Sequence, residues 1–306
     1  MHDSLPFFSI IIPTYNRPRA LSACLLAIAE LDYPHDRFEV IVVHDAMGPT
    51  IEHATRQAIG QKLQLRELNQ SHAGPAAARN LGAKHARGQY LAFTDDDCMV
   101  SGQWLGALAE HLTSAPGSAC AGQIANYHDR NRYSQASQMI NDFVVSINTS
   151  MKSPFVTSNN MVVPRAEFLE LGGFDTRFPG AAGEDREFCV RWTESGLQLD
   201  HVSNAVVYHA HDLSLRSFWR QQFGYGRAAF LLRLIQKQKP KSNDSGLERP
   251  SFYLDLLRYP LKTGINGRNL HLALLLVLSQ IAITAGFICQ VLGSQRPAPR
   301  MSEGRV

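Results

Sequence analysis

The feature that most constrains this chain is a four-fold alternation of apolar strand patterns with helical patterns over roughly its first 100 residues. Short runs rich in β-branched and aromatic residues are separated by stretches with helical spacing, and these runs are FFSIIIP, FEVIVVH, LQLREL and YLAFT. Strands that alternate with helices predict a sheet covered by helices on both faces. The sequence therefore predicts an α/β fold, a Rossmann-like doubly wound mixed sheet, with ligands beyond the carboxyl ends of its strands.

The distribution of charge separates the body of the chain from its tail. Hydrophobic residues make up 44% and charged residues 19% of the 306 residues, as in an ordinary globular protein. Residues 1–215 hold 16 Lys and Arg against 23 Asp and Glu, whereas residues 216–306 hold 14 against 4. The basic residues of the tail stand beside an apolar run, which indicates an anionic lipid surface. No nucleic-acid partner is expected.

Cysteine usage and the N-terminus predict the compartment. The five cysteines are scattered, odd in number and without a CxxC pair, so we expect reduced thiols and no disulfide framework. The opening MHDSLPFFSI lacks the basic and apolar regions of a signal peptide and runs directly into a strand pattern. The body of the chain is therefore expected on the cytoplasmic side.

Composition also predicts the domain organisation. We expect one domain over residues 1–236, a polar, proline-punctuated linker over 237–250, and a basic, hydrophobic tail over 251–306. Residues 269–295 contain no Asp, Glu, Lys or Arg and predict a C-terminal hydrophobic helix, which is long enough to cross a hydrocarbon core of about 30 Å. Its polar residues leave a core helix as the alternative. The prediction is a location at the cytoplasmic face of the membrane, with this helix either spanning or peripheral.

An acidic run, Asp95 to Asp97, follows the strand pattern YLAFT. Residues two apart on an extended chain project to the same side, so Asp95 and Asp97 are expected to converge. Two converging carboxylates repel each other unless a hard cation lies between them, and Mg²⁺ or Mn²⁺ bound there keeps positions open for phosphate oxygens. The alternative is an acidic turn without a metal.

The order of motifs before the acidic run is more specific than the run itself. SHAGPAAARNLGAKHARGQYLAFTDDD contains a Gly-Pro turn, an Ala-rich helix and an apolar strand, and FSIIIPTYNRP opens the chain. Over roughly residues 7–230 the sequence resembles the family 2 inverting glycosyltransferases of the GT-A type. The resemblance implies a nucleotide-sugar half over about residues 1–100 and an acceptor half over about 101–236.

The resemblance implies a set of residues that bind the donor. They are Pro13, Thr14, Tyr15, Arg17, Asp45, Arg79, Asp95 and Asp96. In this family the first loop lines the nucleotide, the arginine approaches the diphosphate, and Asp95 and Asp97 form the metal motif. One departure concerns the end of the second strand, where members usually have an aspartate that binds the base. Here the pair is His44-Asp45, so Asp45 is expected to substitute for that contact.

Three further motifs complete the predicted site. Glu184 and Asp185 follow a Gly-rich turn and resemble the acidic motif of the family, which implies that Asp185 is the general base and Glu184 lies on the acceptor side; the alternative is a pair of helix-capping acids. Asn160, in TSNNMVVP, is expected on the acceptor side. His209 is expected as a further metal ligand, with a structural histidine as the alternative.

The expected reaction is a single displacement with inversion, in which a sugar moves from a nucleotide-diphosphate donor, a UDP-sugar, to a hydroxyl of a saccharide or lipid-linked acceptor. Cell-surface polysaccharide or glycolipid synthesis is the expected setting. The alternatives are a sugar-phosphate nucleotidyltransferase and a noncatalytic sugar-binding or membrane scaffold protein. PTYNRPRA lacks the glycines of a nucleotidyltransferase phosphate loop, and the joint presence of Asp95, Asp97 and Asp185 argues against a scaffold.

Overall fold

The fold is built on a mixed eight-stranded sheet. It was obtained as a computed structural model that describes residues 5–46, 51–147, 155–178, 180, 182–237 and 249–294. The strands are β1 (Phe8–Thr14), β2 (Phe38–His44), β3 (Leu65–Asn69), β4 (Tyr90–Thr94), β5 (Cys98–Val100), β6 (Ala119–Asn126), β7 (Asn160–Pro164) and β8 (Leu199–His209). Their order in the sheet is β3-β2-β1-β4-β7-β6-β8-β5.

Ten α-helices accompany the sheet in the part of the chain that the structure describes. They are α1 (Pro18–Ala29), α2 (His53–Ile59), α3 (Pro75–His85), α4 (Trp104–Ser114), α5 (Arg132–Ile147), α6 (Arg165–Glu170), α7 (Glu184–Glu194), α8 (Leu215–Lys237), α9 (Pro250–Arg258) and α10 (Gly267–Ser294). Strands β1 to β4 are parallel and each is followed by the next after a helix, while β7 runs antiparallel to β4 and β6. The predicted doubly wound mixed sheet is confirmed.

The apolar core lies on both faces of the sheet. Along β1, Ile10 and Ile12 pack with one cluster of buried side chains, and Ile11 packs with the other. Successive side chains of a strand point to opposite faces, so a strand buried on both faces reads as a continuous apolar run. This explains FFSIIIP. The strands bond to one another through their backbone groups. Polar side chains stand at the carboxyl ends of β1, β2 and β4.

The chain divides into two compact units, residues 1–213 and 214–306. The boundary differs from the one expected at 237–250, because α8 belongs to the second unit, where it packs closely on α10. Gly226 lies against the backbone of Ile283, and Gly286 against the backbone of Phe223, at distances that leave no room for a side chain. Small residues at such positions let two helices approach closely. Most of the predicted linker, residues 238–248, lies outside the described residues.

The C-terminal hydrophobic helix is present as α10. It has 28 residues and a mean hydropathy of 2.3 over its most apolar window, and it is the one helix among the described residues that is long and apolar enough to cross a membrane. A third of that window is buried within the chain. The predicted helix is confirmed.

Candidate active site

The loop after β1 brings an arginine to the acidic run. β1 ends at Thr14 and α1 begins at Pro18, and between them Asn16 has a φ of 53°, in the left-handed region that asparagine tolerates. The turn directs Arg17 towards the end of β4. Its two terminal nitrogens lie 2.9 Å from an Asp96 oxygen and 2.6 Å from an Asp97 oxygen. The motif PTYNRP therefore positions a cation against the carboxylates.

The three carboxylates of the acidic run have different partners. Asp95 lies 2.5 Å from a terminal nitrogen of Arg79, and Asp96 accepts a hydrogen bond from the Thr14 hydroxyl at 2.8 Å. Asp97 lies 3.4 Å from Nε2 of His209. Burial raises the pKa of Asp96 to about 7 against the opposing charge of Arg17. For Asp97 burial also opposes ionisation, but hydrogen bonds and charge from His209 and Arg17 prevail and hold its pKa below the usual range.

The three carboxylates of the acidic run stand on a turn. β4 ends at Thr94 and the chain turns through Asp96 and Asp97, so the two-residue repeat of an extended strand does not apply there. Among the described residues, one group of three possible metal-ligand atoms lies within 4.8 Å of one another, and it consists of Asp97, Cys98 and His209. Asp95 pairs instead with Arg79.

The donor atoms around Asp97 fit a hard divalent cation. An aspartate oxygen and an imidazole nitrogen are ligands that Mn²⁺ or Mg²⁺ accepts. Burial raises the pKa of the Cys98 thiol well above its usual value, so the thiol stays protonated and is not a ligand for such an ion. Nδ1 of His209 and both ring nitrogens of His211 are buried without a hydrogen-bond partner among the described residues. Asp97 and His209 would therefore hold the metal.

Asp45 fixes a loop within the chain. One carboxylate oxygen accepts hydrogen bonds from the Gln70 side chain and the Ala73 amide at 2.7 and 2.8 Å. The other accepts from the Gly74 amide at 2.9 Å and lies 2.9 Å from Nδ1 of His72. Three hydrogen bonds and the nearby imidazole thus surround the carboxylate, which holds residues 70–74 in place.

The loop that Asp45 holds places an imidazole beside Tyr15. The rings of Tyr15 and His72 lie 4.5 Å apart at 35°, and both side chains are about half exposed. Nε2 of His44, by contrast, points to Glu67 at 2.9 Å and is buried. Sequence reasoning did not select His72, although it stands next to the Gly-Pro turn that opens α3. The sequence signal that could have indicated His72 is the Gly-Pro turn taken together with the polar residues at the end of β2.

Glu184 and Asp185 begin α7 at the same end of the sheet as the acidic run. Gly183, with a φ of 93°, turns the chain into the helix, and Asp185 accepts a hydrogen bond from the Arg186 amide at 2.7 Å. Burial and the neighbouring Asp185 charge raise the pKa of Glu184 to about 7. Burial also raises the pKa of Asp185, against the stabilising amide hydrogen bonds and the charge of Arg79.

Arg79 joins the two acidic motifs. One terminal nitrogen lies 3.0 Å from Glu184 and the other 2.5 Å from Asp95. The side chain is 2% exposed, so the expected approach to a diphosphate is corrected to a buried bridge between carboxylates. The neighbouring Asn80 bonds both backbone groups of Phe174, at 2.7 and 2.8 Å, and fixes α3 to the segment before α7.

The side chain of Asn160 belongs to the sheet, which corrects the expected acceptor-side position. The carboxamide donates to the carbonyls of Gln123 and Ala205, each at 3.0 Å, and accepts from the Trp104 indole at 2.8 Å. It fills the place where the register between β6 and β8 shifts after Gly122. The residue is 1% exposed, so it does not face an acceptor.

We therefore expect Asn160→Ala to lower stability with little effect on turnover per folded molecule. The change leaves a buried indole N–H and two carbonyls without partners and opens a small cavity, at a cost of about 3 kcal/mol. Thermal unfolding should show a fall in Tm of roughly 10 °C for a chain of this size. Asn69→Ala, at an exposed strand position, is the matched control and should change Tm by no more than about 2 °C. An unchanged Tm in Asn160→Ala would contradict this role.

Comparison with known proteins identifies the class that this fold and site define. The family model of glycosyl transferase family 2 matches residues 9–172, which is more than half of the chain. The chain therefore belongs to glycosyl transferase family 2. The match covers β1 to α6 and so includes the acidic run and its arginines.

Individual relatives agree with this assignment. Validoxylamine A glucosyltransferase of Streptomyces hygroscopicus subsp. limoneus is 28% identical over 225 residues, which cover 64% of this chain and 49% of that protein. The mannosyltransferase PcManGT of Pyrobaculum calidifontis, in complex with GDP-Man and Mn²⁺, has a TM-score of 0.60 at 18% identity, over 96% of this chain and 81% of that one. Residues 1–349 of TarS of S. aureus, in complex with UDP-GlcNAc, have a TM-score of 0.52 at 16% identity, over 94% of this chain and 92% of that one.

The structural likenesses show the GT-A type of fold predicted from the sequence. The chain spans about half the length of the validoxylamine A glucosyltransferases that it matches. The family match favours a glycosyltransferase over the nucleotidyltransferase alternative.

Proposed function

We propose that this chain is an inverting, metal-dependent glycosyltransferase that moves a sugar from a nucleotide-diphosphate donor, a UDP-sugar, to an acceptor hydroxyl. The observation that carries the proposal is the bridge of Arg79 between Asp95 and Glu184. It brings the acidic run after β4 and the acidic pair of α7 to one pole of the sheet, although they are far apart in sequence. A donor site and a proton acceptor are thus adjacent.

In the proposed reaction Asp185 removes the proton of the acceptor hydroxyl. The hydroxyl oxygen attacks the anomeric carbon from the face opposite the nucleotide, and the bond from that carbon to the diphosphate oxygen breaks with its electron pair remaining on the diphosphate. A divalent cation, when bound, neutralises the charge that the diphosphate gains. Arg17 and His209 hold Asp97 ionised for that ion, and Arg79 holds Glu184 beside the base.

The donor class is supported by the neighbours in structure. The complexes of PcManGT and TarS contain GDP-Man and UDP-GlcNAc respectively, and both are nucleotide-diphosphate sugars. For this chain we propose that Thr14, Arg17 and Asp96 lie on the donor side and that Pro13 shapes the loop that carries Tyr15. The acceptor is a saccharide or a lipid-linked saccharide in cell-surface polysaccharide or glycolipid synthesis.

The proposed location is the cytoplasmic face of the membrane. It is supported by the apolar α10 and by the excess of basic residues over acidic ones in residues 216–306. Fractionation of the full chain at low and high salt, without detergent, tests it.

A screen of nucleotide sugars by thermal shift in the presence of Mn²⁺ tests the activity. A ligand that binds only the folded chain raises Tm by mass action, so a UDP-sugar should raise Tm more than other donors do. The donor so found is then incubated with the protein, and release of nucleoside diphosphate is measured with and without acceptor. A noncatalytic scaffold would show the Tm shift without release of diphosphate.

We expect the exposed pair of Tyr15 and His72 to receive the nucleobase. Stacking of a base on an aromatic ring contributes roughly 1–3 kcal/mol, so Tyr15→Ala should raise the KM for the donor by about tenfold or more and leave kcat within about twofold. Leu169→Ala removes an exposed apolar side chain of α6 and should leave the KM unchanged. Steady-state kinetics with the donor from the screen gives both values, and an unaltered KM in Tyr15→Ala would place the base elsewhere.

A further inference from the structure

The exposed face of α10 is an apolar stripe along the whole helix. Its members are all at least two-fifths exposed, and they are Leu270, Leu274, Val277, Ile281, Ile288 and Leu292. At 3.6 residues per turn their positions fall within a sector of about 60°. The buried residues of α10, among them Leu276, Ala282 and Gly286, lie on the opposite side. One side of the helix is covered by the chain, and the opposite side presents these six aliphatic side chains.

The covered side of α10 is joined to a basic helix. α8 crosses α10 where Gly226 and Gly286 meet the opposing backbone, and Phe230 packs edge-on against Phe287 with ring centres 5.4 Å apart. Arg227 donates a hydrogen bond to Gln290 at 2.9 Å. α8 contains no acidic residue, and its basic residues are Arg216, Arg220, Arg227, Arg233 and Lys237.

This crossing argues against a helix that spans the bilayer. Residues 283–287 lie within about 12 Å of the middle of α10 at 1.5 Å per residue, so they would stand inside a hydrocarbon core that extends about 15 Å to each side. α8 would be carried into that core with Arg227 and with Arg233, whose guanidinium lies over Phe287. An arginine costs roughly 2.5–3.5 kcal/mol at the centre of a bilayer and less towards its edge, so the two together oppose a spanning helix. A helix lying in the interface avoids this cost.

The charge of the second unit identifies the surface that covers the stripe. Besides the five basic residues of α8, the described part of this unit holds Arg249, Arg258, Lys262 and Arg268, against Asp255 as its one acidic residue. Arg258, Lys262 and Arg268 are exposed in the segment that leads into the N-terminal end of α10, and so is Ile265, which is 79% exposed. Exposed aliphatic side chains flanked by cations match an anionic headgroup layer, in which apolar groups enter the acyl boundary and cations meet phosphates.

We propose that residues 214–306 dock on an anionic lipid surface with α10 lying in the plane of the interface, through the stripe from Leu270 to Leu292. The proposal deepens the membrane location proposed above and selects a peripheral helix over a spanning one. It commits to lipid as the occupant of the stripe; a second copy of this chain is the competing occupant.

The test is flotation of the full chain with vesicles of phosphatidylcholine alone and of phosphatidylcholine with phosphatidylglycerol. We expect binding to the anionic vesicles, release at high salt or in alkaline carbonate, and weak binding to neutral vesicles. The double variant Leu274→Ser/Ile281→Ser should weaken binding by about tenfold or more, because two aliphatic groups no longer gain from leaving water. Leu26→Ser/Leu169→Ser, two exposed leucines of the first unit, should bind as the unaltered chain does.

Three other outcomes would overturn the inference. Binding that resists carbonate and is unaffected by lipid charge would show a spanning helix and leave the membrane location intact. A chain that floats with neither vesicle and sediments as a dimer that Leu274→Ser/Ile281→Ser dissociates would place a second copy on the stripe and refute the location too. Equal binding by the stripe variant and its control would place the lipid contact elsewhere. Donor hydrolysis, measured in the same samples, reports on the proposed glycosyltransferase separately.

Discussion

Asp185→Asn is expected to lower kcat by roughly 10²–10⁴-fold while the donor binds almost as before, because a general base acts mainly in the transition state. The change keeps the shape of the side chain and its acceptor for the Arg186 amide, so α7 should form normally. Thermal shift with the donor measures binding, and single-turnover kinetics measures the chemical step. Glu187→Gln, in the same turn of the helix but paired with Arg191, is the matched control and should keep kcat within about threefold.

The pH dependence of kcat gives an independent reading of the same residue. Burial raises the pKa of Asp185, so the base is protonated, and inactive, over a wider acidic range than an exposed aspartate would be. We expect kcat to rise with pH through an apparent pKa above the ordinary aspartate range, and this limb should vanish in Asp185→Asn. Retention of both kcat and the limb in that variant would assign the base to another group, and Asp185 would then only cap the helix.

Asp97→Asn is expected to reduce turnover by at least about 10³-fold, and removal of divalent ions with EDTA should do the same to the unaltered chain. The aspartate supplies charge and an oxygen ligand, and its asparagine substitute lacks the charge that a hard cation needs. Addition of Mn²⁺ or Mg²⁺ should restore the EDTA-treated protein but not the variant. Activity is measured with the donor from the screen. Metal binding is measured by quenching of protein fluorescence or by titration calorimetry.

A second aspartate–histidine pair provides the control for this prediction. Asp200, at the start of β8, lies 3.1 Å from Nε2 of His111, whereas His209 ends the same strand beside Asp97. Asp200→Asn therefore removes a similar contact at the far end of the strand and should leave both turnover and metal dependence unchanged. Full turnover in excess EDTA would remove the metal from the mechanism and leave Arg17 as the counter-charge of the acidic run.

The order of elements in the first unit could be predicted because local pattern and burial agree there. FSIIIPT and FEVIVVH are mostly apolar and buried throughout, as expected of a strand covered on both faces, and each is followed by polar residues or proline. The same reasoning placed the acidic run at a carboxyl end of the sheet, where open α/β sheets bind ligands.

Side-chain roles that depend on distant partners could not be predicted in this way. The spacing of Asp95 and Asp97 predicts an extended pair, but the chain turns there and Asp95 pairs with Arg79, a residue 16 positions earlier in the sequence. Asn160 occurs in a motif that suggests an acceptor contact, and its actual partners come from β6, α4 and the far part of β8. Such contacts join segments 37 to 56 residues apart, and nothing local in the sequence reports them.

The two compact units meet at residue 213, whereas composition predicts a linker at 237–250. Composition places α8 with the preceding strands because no polar linker separates them. Its place in the second unit depends on Gly226 and Gly286, and neither glycine interrupts its helix or signals a partner in isolation. Only the contact between α8 and α10 shows why a glycine is needed at each of the two positions.

The three hydrogen bonds that the Asp45 carboxylate accepts have a consequence for the entropy of ligand binding. Ordering the backbone of one residue costs roughly 1–2 kcal/mol, and a mobile loop of five residues would subtract much of that sum from the affinity of any ligand that had to immobilise it. Here residues 70–74 are tied down by the chain itself. The ring of His72 is thus held in a fixed orientation before any ligand binds. The entropic cost of ordering this loop falls on folding and not on binding.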